Sequence, residues 1–260
     1  MKPLKLHISP CPNDTFMFDA LINGRIDTCG LNFEVEYLDI EQLNATALTA
    51  VADISKISCA ILPSIAERYT LLDSGAALGR GNGPLVVRRQ GDTSPLCRVA
   101  TPGIHTTASA LLRRLMPQIE QHVPMLFSDI AQAVARGEVD AGVLIHEGRF
   151  VYQQHDLELV ADLGLLWEER MRLPLPLGAI VVRSDLPEAQ RELVERLLRQ
   201  SIEHAFAHPA ASRDFIRDHA QELSDKVIDS HISLFVNDFS LSLGTEGRAA
   251  INALCGAEIG

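Results

Sequence analysis

Short apolar runs alternate along this chain with stretches whose apolar positions recur every three or four residues, the pattern of βαβ units and a largely parallel sheet. The run Leu4–Ile8 reads as the first strand, and the turn Ser9-Pro10-Cys11-Pro12-Asn13-Asp14 leads into a helix over 15–23 with Asn13 or Asp14 as N-cap and Gly24 as stop. A strand over 32–38, a helix over 41–52, a strand over 54–61 carrying Lys56 and Ser58, and a helix over 63–72 follow. Further along, the pattern predicts a strand at Arg98–Thr101, helices over 106–115 and 130–135, and a strand over 141–145 apolar enough to be buried on both faces. From residue 188 onward it is almost wholly helical, over 188–208, 212–219, 224–239 and 246–255.

Two segments look alike: Pro84-Leu85-Val86-Val87-Arg88 before Gly91-Asp92, and Ala179-Ile180-Val181-Val182-Arg183 before Asp185. Each is a β-branched strand ending in Arg and a polar turn. They suggest two lobes joined by two strand crossovers, residues 1–92 and 184–260 forming one discontinuous lobe and 95–181 the other. Such an α/β architecture leaves an interlobe cleft, the usual place for a small ligand.

Composition narrows the chemistry. With 47% apolar and 22% charged residues over 260 positions, a packed core is expected and disorder or coiled coil excluded. The formal charge of -11 repels polyphosphate backbones and anionic lipid surfaces, so nucleic acid and membrane are not expected partners. Five cysteines without a C-x-x-C pair suit neither a disulfide framework nor a zinc ribbon. The N-terminal apolar stretch, broken by His7 and stopped by Pro10 and Pro12, is no secretory signal, and a cytoplasmic location is expected.

His146 stands directly after the buried 141–145 strand, and open α/β sheets bind ligands just outside the carboxyl ends of their strands. An imidazole there, in a loop with Glu147, Gly148 and Arg149, suits a general base. The alternative is a structural His bonded to backbone. Thr106 and Thr107 fall at a helix start, where free N–H groups and two hydroxyls suit a carboxylate, or where one hydroxyl simply caps the helix. Lys56 and Ser58 share one face of their strand; Lys56 either points at an anion or guards an exposed sheet edge. Gly79-Arg80-Gly81-Asn82-Gly83-Pro84 precedes a strand rather than a helix, so it is no nucleotide loop; it reads as a tight turn presenting Arg80 to an acidic ligand. Cys11 beside a helix start is a weaker nucleophile candidate, and His204 with His208 lacks the third ligand a metal needs.

Taken together, Ser9-Pro10-Cys11-Pro12-Asn13-Asp14-Thr15-Phe16, Lys56-Ile57-Ser58, Leu78-Gly79-Arg80-Gly81-Asn82-Gly83-Pro84-Leu85, Pro102-Gly103-Ile104-His105-Thr106-Thr107-Ala108, Ile145-His146-Glu147-Gly148-Arg149-Phe150, Leu173-Pro174-Leu175-Pro176-Leu177-Gly178 and Val236-Asn237-Asp238-Phe239-Ser240-Leu241 resemble the 1,4-dihydroxy-6-naphthoate synthases of the futalosine route to menaquinone. The resemblance implies a two-lobed fold of the type II periplasmic-binding-protein kind, used as a carbon–carbon lyase in the cytoplasm. The implied substrate is cyclic dehypoxanthine futalosine, a small-molecule carboxylate, and no cofactor or metal is implied. It makes His146 the base and assigns Lys56, Ser58, Thr106 and Thr107 to substrate binding, and its motifs also take in Asn13 and Arg80. Two rivals share the fold. A small-anion solute-binding protein would need export, and a chorismate dehydratase is disfavoured by the motifs around Asn13 and His146.

Overall fold

The computed structural model describes residues 2–81, 83–146, 148–220 and 224–258. In chain order the elements are β1 (Leu4–Ile8), α1 (Pro12–Ile22), β2 (Phe33–Tyr37), α2 (Ile40–Leu48), β3 (Ile54–Ser58), α3 (Leu62–Ile65), β4 (Tyr69–Leu71), β5 (Ala77–Gly79) and β6 (Leu85–Arg89). Then come β7 (Arg98–Thr101), α4 (Thr107–Leu115), β8 (Gln121–Pro124), α5 (Ile130–Ala135), β9 (Ala141–Leu144), α6 (Gly148–Val151), β10 (Leu157–Asp162), α7 (Leu163–Met171) and β11 (Leu175–Arg183). The chain closes with α8 (Glu188–Ala207), α9 (Arg213–His219), α10 (Asp225–Phe235), α11 (Asp238–Leu241) and α12 (Gly244–Cys255).

The chain divides into two compact units, Met1–Gly79 with Pro176–Gly260, and Arg80–Leu175. In the first, strands run in the order β2-β1-β3-β11-β4, with β5 also on β11. β1 pairs parallel with β2 and β3, whereas β11 runs antiparallel to β3 and β4. Leu6, Ile8, Ile54 and Ile180 pack with Phe16, Met17 and Phe18 of α1 and with Leu197, Leu198 and Ile202 of α8. Nearly every residue of α1 is buried, because α8, α9 and α10 close around it.

The second unit has a sheet ordered β10-β6-β9-β7-β8. Here β7 is parallel to β8 and β9, while β6 is antiparallel to β9 and β10. Leu85, Val87, Ala100, Ile130, Val134 and Leu144 form its core. On α7 the fully buried Trp167 donates its ring N–H to the Pro174 carbonyl at 3.1 Å, the partner a buried indole requires.

Both sheets are thus mixed rather than largely parallel. The two look-alike segments belong to different sheets: β6 pairs with β9 and β10, β11 with β3 and β4. That pairing draws residues 80–92 into the second unit and 176–183 into the first, away from the borders expected at 92 and 184. The helix expected over 63–72 is one turn of α3 followed by β4, since Tyr69 to Leu71 find partners on β11. Helix α1 starts earlier than expected, with Cys11 as N-cap and Pro12 at its first position, where the fixed φ of proline is favourable. Asn13 and Asp14 therefore lie in the first turn, not at the cap.

Candidate functional site

In the second unit the carboxyl ends of β8, β7 and β9 lie side by side on one sheet edge, and the loops leaving them carry the expected residues. Thr106 is the N-cap of α4, its hydroxyl oxygen accepting from the Ser109 backbone N–H at 3.2 Å. The same hydroxyl donates to Ser109 Oγ, which in turn donates to the Gly103 carbonyl. Thr106 and Thr107 are both buried. Capping occupies the Thr106 hydroxyl.

His146 follows β9 by two residues and adopts φ of 52°, left-handed backbone that a non-glycine residue holds only when its surroundings fix it. Its ring is half-buried and meets the Phe127 ring edge-on, centroids 5.1 Å apart. Phe127 comes from the segment after β8, two strands away from β9, so the base candidate is braced by a second loop on the same sheet edge. Nearby, Arg149 faces Asp162 at 3.8 Å; burial pulls its guanidinium below the usual range, against the pull of Asp162. Asp162 also caps α7 through the N–H groups of Gly164 and Leu165. Gly83 and Gly164 touch backbone to backbone, since a Cβ at Gly83 would lie 2.2 Å from Gly164 Cα. The glycine-rich turn thus serves close approach, and Arg80 at its start is exposed. Asn82 and Glu147, members of the motifs, lie outside the described residues.

The first unit holds the other expected residues around a buried carboxylate. Asp14 Oδ1 accepts from Lys56 Nζ at 2.9 Å and Asn13 Nδ2 at 2.8 Å, and Oδ2 accepts from the Ser9 backbone N–H at 3.1 Å and the Ser9 hydroxyl at 2.7 Å. Four donors fill the acceptor sites of a carboxylate, so both oxygens of Asp14 are committed to neighbours within the first unit. Lys56 is no guardian of an open edge: β3 has β1 on one side and β11 on the other, and the side chain is 6% exposed. Its anion is Asp14.

Asn44 of α2 bonds Ser58 twice, accepting from its backbone N–H at 2.8 Å and donating to its hydroxyl oxygen at 3.0 Å. One ammonium proton of Lys56 goes to Asp14, and among the described residues the other two, like the Ser58 hydroxyl proton, meet no acceptor. Alternation along the strand puts Lys56 and Ser58 on the same face. That face offers three uncommitted donors, a setting that suits a carboxylate.

Ser9, Asn44, Phe127, Gly178 and His231 were not singled out in the sequence. Ser9 and Gly178 sit within recognisable motifs; Asn44, Phe127 and His231 carry no local signal. Among the described residues, no group of three or more His, Cys, Asp or Glu is placed to hold a metal. His204 and His208 stack on each other at 4.6 Å.

A family profile described as menaquinone biosynthesis matches residues 4–257. The chain is 47% identical over 256 residues to a 1,4-dihydroxy-6-naphtoate synthase of Thermus thermophilus, covering 98% of this chain and 93% of the relative. A protein of the same name from Streptomyces coelicolor is 41% identical over 257 residues, with 96% and 91% covered. Among solved structures, protein AF1704 from Archaeoglobus fulgidus superposes with a TM-score of 0.91 at 34% identity, covering 97% and 95% of the two chains. The Candida albicans CA3427 product, described as having the generic periplasmic binding protein fold, gives 0.71 at 13% identity over 98% and 90%, which bears on the fold alone.

Proposed function

The chain belongs to the menaquinone biosynthesis family, and from that membership we propose that it is a carbon–carbon lyase releasing 1,4-dihydroxy-6-naphthoate. The observation that carries this reading is the 47% identity to a synthase of that name across 98% of the chain. The substrate is cyclic dehypoxanthine futalosine, as in the futalosine route, and the reaction runs in the cytoplasm, a reducing compartment that suits five free thiols.

His146 takes a proton from the sugar-derived part of the substrate, a retro-aldol-like cleavage of the C–C bond follows, and aromatisation of the second ring supplies the driving force. Such a reaction asks the protein for a positioned base and for orientation, and little else. The left-handed backbone at His146 and its contact with Phe127 support a fixed imidazole. Thr106, Thr107, Lys56, Ser58, Asn13 and Arg80 are assigned to substrate binding.

The test is incubation of purified protein with cyclic dehypoxanthine futalosine while following naphthoate absorbance. Turnover is expected without added metal or cofactor. Tight capture of a small anion with no turnover of this substrate would return the protein to the solute-binding class, and turnover of chorismate in its place would make it the related dehydratase.

A further inference from the structure

The Asp14–Lys56 pair has a third tier that the proposed chemistry does not use. His231 of α10 is 1% exposed, and its Nε2 lies 3.0 Å from Asn13 Oδ1, across 218 residues of sequence. Its ring packs on Phe235 one turn along the helix, centroids 4.7 Å apart.

The chemistry of the chain fixes its direction. Both Asp14 oxygens accept, from Lys56 Nζ and from the Ser9 N–H and hydroxyl, so the Asn13 atom facing Oδ1 at 2.8 Å is the NH2 group. The carbonyl oxygen of Asn13 then faces His231, and an oxygen can only accept. Nε2 therefore carries the ring proton. Were that proton on Nδ1, two acceptors would meet 3.0 Å apart in a buried setting, and relieving this would turn the Asn13 amide and push its oxygen against the Asp14 carboxylate.

We propose that His231 is a positioning residue for the substrate-binding pair Asn13 and Lys56: its Nε2–H holds the Asn13 amide in the orientation that lets Asn13 brace Asp14, and Asp14 in turn holds the Lys56 ammonium. The inference rests on the reading that Asn13 and Lys56 bind substrate. It adds a group from the C-terminal helices to a site whose other polar side chains in the first unit lie within the first 58 residues.

Two measurements test it. In protein carrying isotope-labelled imidazole nitrogens, the His231 ring is expected to show its proton on Nε2, with a signal displaced by Asn13→Ala; a proton on Nδ1 overturns the proposal whatever the enzyme does. In turnover assays, His231→Leu is expected to raise KM roughly three- to tenfold with kcat changed less than about twofold, the size of one lost hydrogen bond acting on binding. His231→Gln, which keeps a donor, is expected to recover most of that loss. In an Asn13→Ala background the His231→Leu effect should vanish, because the interaction runs through Asn13. Additive effects of the two substitutions, or a loss confined to melting temperature, would overturn the proposal. If the wild type fails to turn over the substrate, the functional reading falls, and the ring-nitrogen experiment still decides the place of His231.

Discussion

Gly178 leaves open the space that Lys56 fills: a Cβ at Gly178 would come 2.9 Å from Lys56 Cε and 2.9 Å from the Ile57 carbonyl oxygen. The two strands set this up, because Gly178 pairs with Ser58 in antiparallel register and so shares a face with Lys56. Backbone cannot yield as a side-chain tip can. Gly178→Ala is expected to cost about 1–3 kcal/mol of stability and, by displacing Lys56, to weaken binding of 1,4-dihydroxy-6-naphthoate. Denaturant melts and calorimetry on the same preparation check both; unchanged affinity would separate Lys56 from the ligand.

The Lys56–Asp14 pair makes opposite demands on stability and on binding. Removing one partner of a buried pair typically costs about 3–5 kcal/mol, since the other charge is left in the interior. Asp14 keeps its Ser9 and Asn13 donors, which places Lys56→Met at the lower end of that range. Adding Asp14→Asn is expected to restore much of the stability without restoring naphthoate affinity. If the double variant binds as the wild type does, the ammonium is purely structural.

Adjacent hydroxyls on α4 should separate cleanly. Thr106→Ala removes the cap from Ser109 N–H and is expected to cost about 1 kcal/mol of stability. Thr107→Val is expected to weaken ligand binding by about 1–3 kcal/mol, the cost of a buried acceptor losing its donor. A Thr107→Val variant with wild-type affinity would move the ligand elsewhere.

For His146, Asn keeps hydrogen-bonding capacity and tolerates left-handed backbone, so His146→Asn should fold and bind. Turnover is expected to fall by about 10²–10⁴, the usual effect of removing a general base. Near-normal kcat in that variant would pass the role to another group.

His7 gives the fold a pH dependence. Burial lowers its pKa below 6.5, outweighing the opposing pull of Glu36, whose carboxylate lies 3.2 Å away. The folded protein thus resists a proton that the unfolded chain accepts. The stability from this group is complete above 6.5 and lost as pH falls from there through the lowered folded value. His7→Gln is expected to show a smaller drop in melting temperature from about pH 7.5 to about 5.5 than the wild type. Parallel curves would show that His7 contributes nothing.

The elements that depend on neighbouring residues were legible in the sequence: β1, β7 and α5 fall where periodicity puts them, and Thr106 caps the helix its position suggested. What depended on distant partners was not. β4 exists because Tyr69, Thr70 and Leu71 pair with residues more than a hundred positions away. β10 and α7 were missed in a stretch of mixed polar and apolar positions without clear period. Asn44 and His231 sit on helices whose patterns gave no reason to expect buried polar side chains, since the partners that make burial tolerable, Ser58 and Asn13, come from other elements.

The order of the strands also bears on how the protein comes off the ribosome. Residues 80–175 form a contiguous unit that can fold as soon as they emerge, whereas the first sheet must wait for β11, which lies between β3 and β4. Until β11 (Leu175–Arg183) has been made, β3 presents an unpaired edge beside its lysine, and α1 waits longer still for α8, α9 and α10, the helices that bury it. Nascent chains of this protein therefore pass through a long interval with an open strand and an apolar helix exposed, the circumstances in which chaperones are recruited and truncated products aggregate.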